Sequence, residues 1–127
     1  MSTPLLICDD SNMARKQVAR SLPDGWDVDI SFAHNGREGI EAIKQGKGDV
    51  LLLDLNMPEM DGLTLLSKLS EQKPLLKSVI VSAYGDMENI RTAMNRGAFD
   101  FITKPINFED LTLTMEKTLK HVKHIKE

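Results

Sequence analysis

The sequence predicts an α/β domain built on a five-stranded parallel sheet with helices on both faces. Three observations predict it. Four short apolar runs, at residues 5–8, 50–53, 78–81 and 99–102, alternate with longer stretches whose apolar residues recur at helical spacing. The second and third runs lack polar alternation, as strands buried on both faces should. A fifth run, at 26–32, does alternate, which suits a strand with one face more exposed at the sheet edge. Five strand–helix repeats need crossover connections, and these favour parallel strands.

The helices follow in order. Ala14, Val18 and Leu22 recur at spacing four; Ile40 pairs with Ile43; Leu63, Leu66 and Leu69 recur at spacing three. Met87, Ile90 and Met94 form a fourth stripe, and Leu111, Met115, Leu119 and Val122 a fifth. Gly36, Gly46, Gly48, Gly62 and Gly97 fall at or near the expected boundaries, and Asn107 with Asp110 three residues later has the pattern of a helix N-cap. The stretch 117–127 stays amphipathic without a Gly or Pro stop, which suits either a helix continuing further or a basic helical tail. There is no repeat, low-complexity tract or internal linker.

A length of 127 residues is right for one compact domain spanning 1–127. The chain is 41% hydrophobic and 28% charged, with a net charge of -3 and no basic run to argue otherwise, so this segment is not expected to bind nucleic acid. The single cysteine, Cys8, excludes an internal disulfide, and no leader-like or membrane-length apolar run is present; both point to the cytoplasm rather than a membrane. Cys8 reads as a small residue closing a buried strand rather than a metal ligand or redox sensor. His121 and His124 sit among lysines and read as the cationic end of an exposed helix rather than a metal pair.

The chemistry lies where the strands end. Asp9 and Asp10 close the first run, Asp54 the second and Ser82 the third, and Lys104-Pro105 follows the fourth. In a parallel sheet the carboxyl ends of the strands open on one crevice, so these residues can converge. Three carboxylates in one small volume are unfavourable without a compensating cation, and a hard divalent ion such as Mg²⁺ suits oxygen ligands better than zinc does. Asp54 ends a buried run and is followed by Pro58, which forces a non-helical turn. Its carboxylate could attack phosphorus and form an acyl phosphate, with Lys104 supplying an ammonium and Ser82 a hydroxyl to the phosphoryl oxygens. The Lys104–Pro105 bond could be cis, although base rates for X-Pro favour trans. Each residue taken singly has a plain reading, as helix cap, turn cap or solvated charge; the combined spacing is the specific signal.

Taken together, Asp9-Asp10, Asp54 within Leu53-Asp54-Leu55-Asn56-Met57-Pro58-Glu59-Met60-Asp61-Gly62, Ser82-Ala83 and Phe101-Ile102-Thr103-Lys104-Pro105 resemble the receiver domain of two-component response regulators across essentially the whole chain. The resemblance implies a flavodoxin-like (βα)₅ fold. It implies that Asp54 is phosphorylated from a phosphohistidine of a sensor histidine kinase or phosphotransfer protein. It also implies that Asp10 ligates Mg²⁺ directly, Asp9 partly through water, and Asn56 by its backbone carbonyl, with Mn²⁺ able to substitute. Lys104 would pair with the acyl phosphate and Ser82 would swing toward it. Phe101 would be the aromatic switch residue, altering a surface of the fourth helix, fifth strand and fifth helix read by an output domain or partner protein; as a phenylalanine it lacks the hydroxyl often found there. Asn56 and Tyr84 would tune phosphoryl lifetime, the bulk of Tyr84 shielding the group. On this reading the chain is a phosphoacceptor and not an enzyme with an external substrate.

Two rivals belong to other classes. A Mg²⁺-dependent hydrolase or phosphotransferase with an aspartyl-phosphate intermediate would use similar strand-end acids, but the short chain leaves little room for a cap, and Asp9-Asp10 is not a spaced Asp-x-Asp pair. A flavin module would share the topology, but Asp9-Asp10-Ser11-Asn12 is acidic where a phosphate-binding loop needs amides and hydroxyls. Within these residues no helix-turn-helix or catalytic effector follows, so output would come from a longer chain or from protein contacts.

Overall fold

In the computed structural model, which describes residues 2–57 and 61–126, strands and helices alternate strictly. The order is β1 (Thr3–Cys8), α1 (Asn12–Ser21), β2 (Val28–Ala33), α2 (Gly36–Lys44), β3 (Val50–Asp54), α3 (Gly62–Gln72), β4 (Lys77–Ala83), α4 (Met87–Asn95), β5 (Asp100–Lys104) and α5 (Phe108–Lys126). The five strands form one parallel sheet in the order β2-β1-β3-β4-β5. The alternating run near 26–32 is thus an edge strand, shifted to begin at Val28. The expected turn at Pro58 lies outside the described residues.

The pleat of the sheet divides the core in two. Leu5, Ile7, Val50, Leu52, Val79, Val81 and Ile102 face one way, against Val18 and Leu22 at α1 and Leu111, Met115 and Val122 of α5. Leu6, Cys8, Leu51, Leu53 and Ile80 face the other, against Ile43 of α2, Leu65, Leu66 and Leu69 of α3 and Ala93 of α4. The central strands are closed to solvent on both faces, which is why their sequence shows no alternation.

One stripe differs from expectation. In α4 the sheet receives Ile90 and Ala93, while Met87 and Met94 are exposed. At 100° per residue the two methionines sit to one side of the Ile90–Ala93 direction, and the small Ala93 provides the close approach. α4 then ends in a paired cap: Gly97 at φ 105° donates to the Met94 carbonyl, and Ala98 donates to that of Ala93. Asn107 caps α5 as its sequence suggested, its Oδ1 accepting from the amides of Glu109 and Asp110.

Candidate functional site

The register of the sheet assembles the site. Ile7 pairs with Leu52 across β1 and β3, and one pleat further on the same register sets Asp9 beside Asp54. Asp9 and Asp54 therefore project from the same sheet face at the carboxyl ends of adjacent strands, which lie about 4.8 Å apart in any sheet. Asp10 follows as the chain leaves the sheet. Carboxylate oxygens of Asp9, Asp10 and Asp54 all lie within 4.8 Å of one another. Lys104, at the end of β5, comes from two strands away and reaches back to this row; its Nζ lies 2.9 Å from Asp54 Oδ2. The peptide bond joining it to Pro105 is cis.

Asp54 is buried at 3% exposure, yet both its oxygens are engaged: Oδ2 by Lys104, and Oδ1 by the Asn56 amide, which donates at 2.9 Å. The carboxylate plane is held from two sides. The loop that carries Asn56 is fixed in turn by Gly62, where a Cβ would meet the Leu55 Cα at 2.9 Å. Asp61 then caps α3, accepting from the amides of Leu63 and Thr64.

On the first loop, Asp9 Oδ1 accepts the Ser11 amide at 2.9 Å, and Ser11 rather than either aspartate caps α1. Burial pushes the Asp9 carboxyl above its ordinary value; the Ser11 amide opposes this, Asp54 adds to it, Lys104 opposes it and Asp10 adds to it. Like charges are crowded here more than one ammonium offsets. Neighbouring Cys8 is buried and its thiol is pushed up to about 12, by burial first and then by Asp9 and Asp54, so it is inert.

Ser82 lies within β4, one residue before its end, fully buried. Its Oγ has no hydrogen-bond partner among the described residues. Phe101, on the edge strand and in register with Ile80, is 38% exposed, and Tyr84, just past β4, is 84% exposed. Of the residues singled out in the sequence, Asp9, Asp10 and Asp54 gather their carboxylates within 4.8 Å of one another, Asn56 and Lys104 bond Asp54 directly, Ser82 sits within β4, and Phe101 and Tyr84 stand outward. Arg15 was not anticipated: from the first turn of α1 its Nη1 donates to the Asp9 carbonyl at 2.5 Å. Nothing short of the loop geometry marks it, because an arginine at that point of an amphipathic helix is ordinary.

The response regulator receiver domain family model matches residues 5–116. The chain belongs to that family. As a receiver domain it is the phosphoacceptor module of two-component signalling, and the rival hydrolase reading is not favoured. It is 31% identical over 121 residues to the transcriptional regulatory protein ZraR of Escherichia coli, covering 95% of this chain and 27% of ZraR. It is 33% identical over 115 residues to the DNA-binding transcriptional regulator NtrC of Escherichia coli, covering 91% of this chain and 24% of NtrC. The receiver domain thus spans about a quarter of the length of the curated relatives it matches. Among solved structures, NtrX from Brucella abortus superposes with a TM-score of 0.88 at 31% identity, over 99% of this chain and 29% of that one. The CheY-like receiver domain protein from Methanospirillum hungatei gives a TM-score of 0.87 at 27% identity, over 98% of each chain. No helix among the described residues is long and apolar enough to cross a membrane.

Proposed function

We propose that Asp54 is the residue phosphorylated in this receiver domain, and that residues 1–127 act as one switchable unit. The observation that carries the reading is the Lys104–Asp54 contact at 2.9 Å beside two further carboxylates within 4.8 Å. An isolated buried ion pair would not need the extra acids, whose repulsion is unfavourable until a cation joins them.

The donor set fits such a cation. Three carboxylates supply only oxygen, and Asp10 is exposed to solvent while Asp9 is partly so, which suits an ion that keeps some of its water. Asp9, Asp10, Asp54 and the Asn56 carbonyl would hold Mg²⁺, or Mn²⁺ in its place. When bound, the ion neutralises charge on the transferring phosphoryl oxygens.

The chain's own residues do the rest. An Asp54 carboxylate oxygen attacks the phosphorus of a phosphohistidine on a sensor kinase or phosphotransfer protein. The P–O bond forms as the P–N bond breaks, and the imidazole leaves with its electron pair and takes up a proton. Lys104, already against Asp54, passes to a phosphoryl oxygen. Ser82 then gains what it now lacks: leaving a buried hydroxyl unpaired costs about 1–3 kcal/mol. Recovering about 2 kcal/mol in the phosphorylated state alone would shift a two-state equilibrium roughly 30-fold. Phe101 follows Ser82 inward and changes the surface formed by α4, β5 and α5, which an output domain or partner protein reads. Since ZraR and NtrC are named as transcriptional regulators, a DNA-binding output in a longer chain is the form this would take. Tyr84 and Asn56, flanking the phosphoryl group, set its lifetime against water.

The test is incubation with a small-molecule phosphodonor and Mg²⁺, followed by intact-mass measurement. A single added phosphoryl group is expected, absent in Asp54→Asn and in excess chelator. Labelling that persists at another residue in Asp54→Asn, or sustained turnover of phosphate esters, would overturn the reading.

A further inference from the structure

Asp10 is the one member of the acidic cluster with neither a hydrogen bond nor an ion pair of its own among the described residues. It is also exposed and lies past the end of β1, where the sheet ladder no longer fixes the chain. Its carboxylate can reach the hollow reproducibly only if the Asp9–Asp10 peptide is held from outside the sheet. The β1–β2 ladder stops one peptide short of it, at the Asp9 amide, which donates to the Ala33 carbonyl of β2 at 3.1 Å. The Asp9–Asp10 peptide itself is held through its carbonyl, which accepts from Arg15 Nη1 at 2.5 Å. The other arm of the guanidinium, Nη2, donates to Asn12 Oδ1 at 3.3 Å, so the planar fork straddles the loop and the first turn of α1. The Asp9 side chain is separately tied to the Ser11 amide. Of these contacts, Arg15 is the side chain that orients the peptide plane from which Asp10 departs.

We infer that Arg15 is a positioning residue for the cation site: it holds the Asp9 carbonyl so that Asp9 and Asp10 present their carboxylates together toward Asp54. The inference rests on the reading of that hollow as a Mg²⁺ site. Its interest lies in the sign of its consequence. Arg15 is a cation close to the cluster, and it also lowers the neighbouring Cys8 thiol against the larger effects that raise it. By charge alone, deleting it should tighten the binding of a dication. If it acts by position, deleting it should weaken binding, as loss of an outer support of a metal ligand does.

The experiment is calorimetric Mg²⁺ titration of the unphosphorylated protein, with thermal unfolding in chelator alongside. Arg15→Met keeps the aliphatic stem and removes both donors. Its Mg²⁺ affinity is expected to fall about tenfold, the lower end of such losses, with little change in Tm in chelator. Arg15→Lys keeps the charge but not the fork and is expected to bind Mg²⁺ more weakly than wild type; it carries the same test if Arg15→Met folds poorly. Wild-type binding accompanied by unchanged or tighter binding in these variants overturns the inference and leaves the site reading standing. A wild-type protein that binds no Mg²⁺ overturns both.

Discussion

Neutralising Asp9 should stabilise the protein when no divalent cation is present, against the usual rule that changing a partly buried, hydrogen-bonded residue destabilises. Asp9, Asp10 and Asp54 have oxygens within 4.8 Å of one another. At that separation one pair of like charges repels by about 0.9 kcal/mol in water and about 3.5 kcal/mol at an effective dielectric of 20. Lys104 offsets part of this, so a net gain of about 1–2 kcal/mol is expected from removing one charge. The direction agrees with the Asp9 carboxyl, which burial first, and Asp54 and Asp10 after it, hold above the ordinary 3.8. The folded protein binds that proton more tightly than the unfolded chain does. Stability therefore falls as pH rises from 3.8 through the raised value, and the whole penalty is present at neutral pH. Asp9→Asn is the right probe, because its Oδ1 can still accept the Ser11 amide. In chelator its Tm should rise by about 3–8 °C for a domain of this size. Wild type should recover stability in Mg²⁺, by about 2.7 kcal/mol at a hundred times the dissociation constant, and the variant much less. An Asp9→Asn protein no more stable than wild type in chelator, or one that gains as much from Mg²⁺, would refute the reasoning.

Four further outcomes are expected. Ser82→Ala should leave the unphosphorylated protein as stable as wild type or up to about 1 kcal/mol more so, because it deletes an unpaired buried hydroxyl; a loss above 1 kcal/mol in denaturant unfolding would show that Ser82 has a partner. Gly62→Ala should cost about 1–3 kcal/mol and weaken Mg²⁺ binding, since its Cβ would press on Leu55 and displace the loop carrying Asn56; an unchanged denaturation midpoint would contradict this. Asp61→Ala should cost about 1 kcal/mol through loss of the α3 cap. The Asp61 carboxyl is held below 3.8, chiefly by the Thr64 hydroxyl, so wild type's advantage should be full above that pH and vanish as pH falls through the lowered value; a difference that persists in acid would count against it. Tyr84→Ala should shorten the life of the phosphorylated form, followed by phosphate release; an equal or slower rate would remove Tyr84 from the shielding role.

What could be read from the sequence, and what could not, follows from the pleat. Asp9 stands two residues after Ile7, Asp54 two after Leu52 and Lys104 two after Ile102, and all three apolar residues face the α1–α5 side. The same parity that buries the hydrophobic residue projects the functional one, so strand ends and side-chain face were legible together. The strand limits were less so: Trp26 lies before β2, and Lys77 and Ala83 extend β4, because hydrogen-bond ladders end where the neighbouring strand does and not where apolarity stops. In α4, spacing three and four marks a stripe of Met87, Ile90 and Met94 without fixing its centre; Ala93, too small to register as a hydrophobic signal, marks the side that packs. Arg15 was invisible for a different reason, since its role depends on where a loop carbonyl points.

The crowding that makes the acidic hollow unfavourable on its own is, on the proposed function, also what would give it a use. A hollow neutralised internally by a second lysine would be more stable and would bind neither a dication nor a phosphoryl group strongly, because a ligand can shift an equilibrium only by the difference in its contacts between two states. Here Asp9 and Asp10 leave negative charge that Lys104 alone does not balance, and Ser82 leaves a buried hydroxyl unpaired. Both deficits are local, lie at the carboxyl ends of β1 and β4 on either side of β3, and on the proposed function would be relieved by the same event, the arrival of a cation-bound phosphoryl group at Asp54. On that reading the Lys104–Asp54 pair would keep the nucleophile oriented until then. Filling either deficit within the protein should therefore raise stability and weaken the response together, which is how Asp9→Asn and Ser82→Ala are expected to behave.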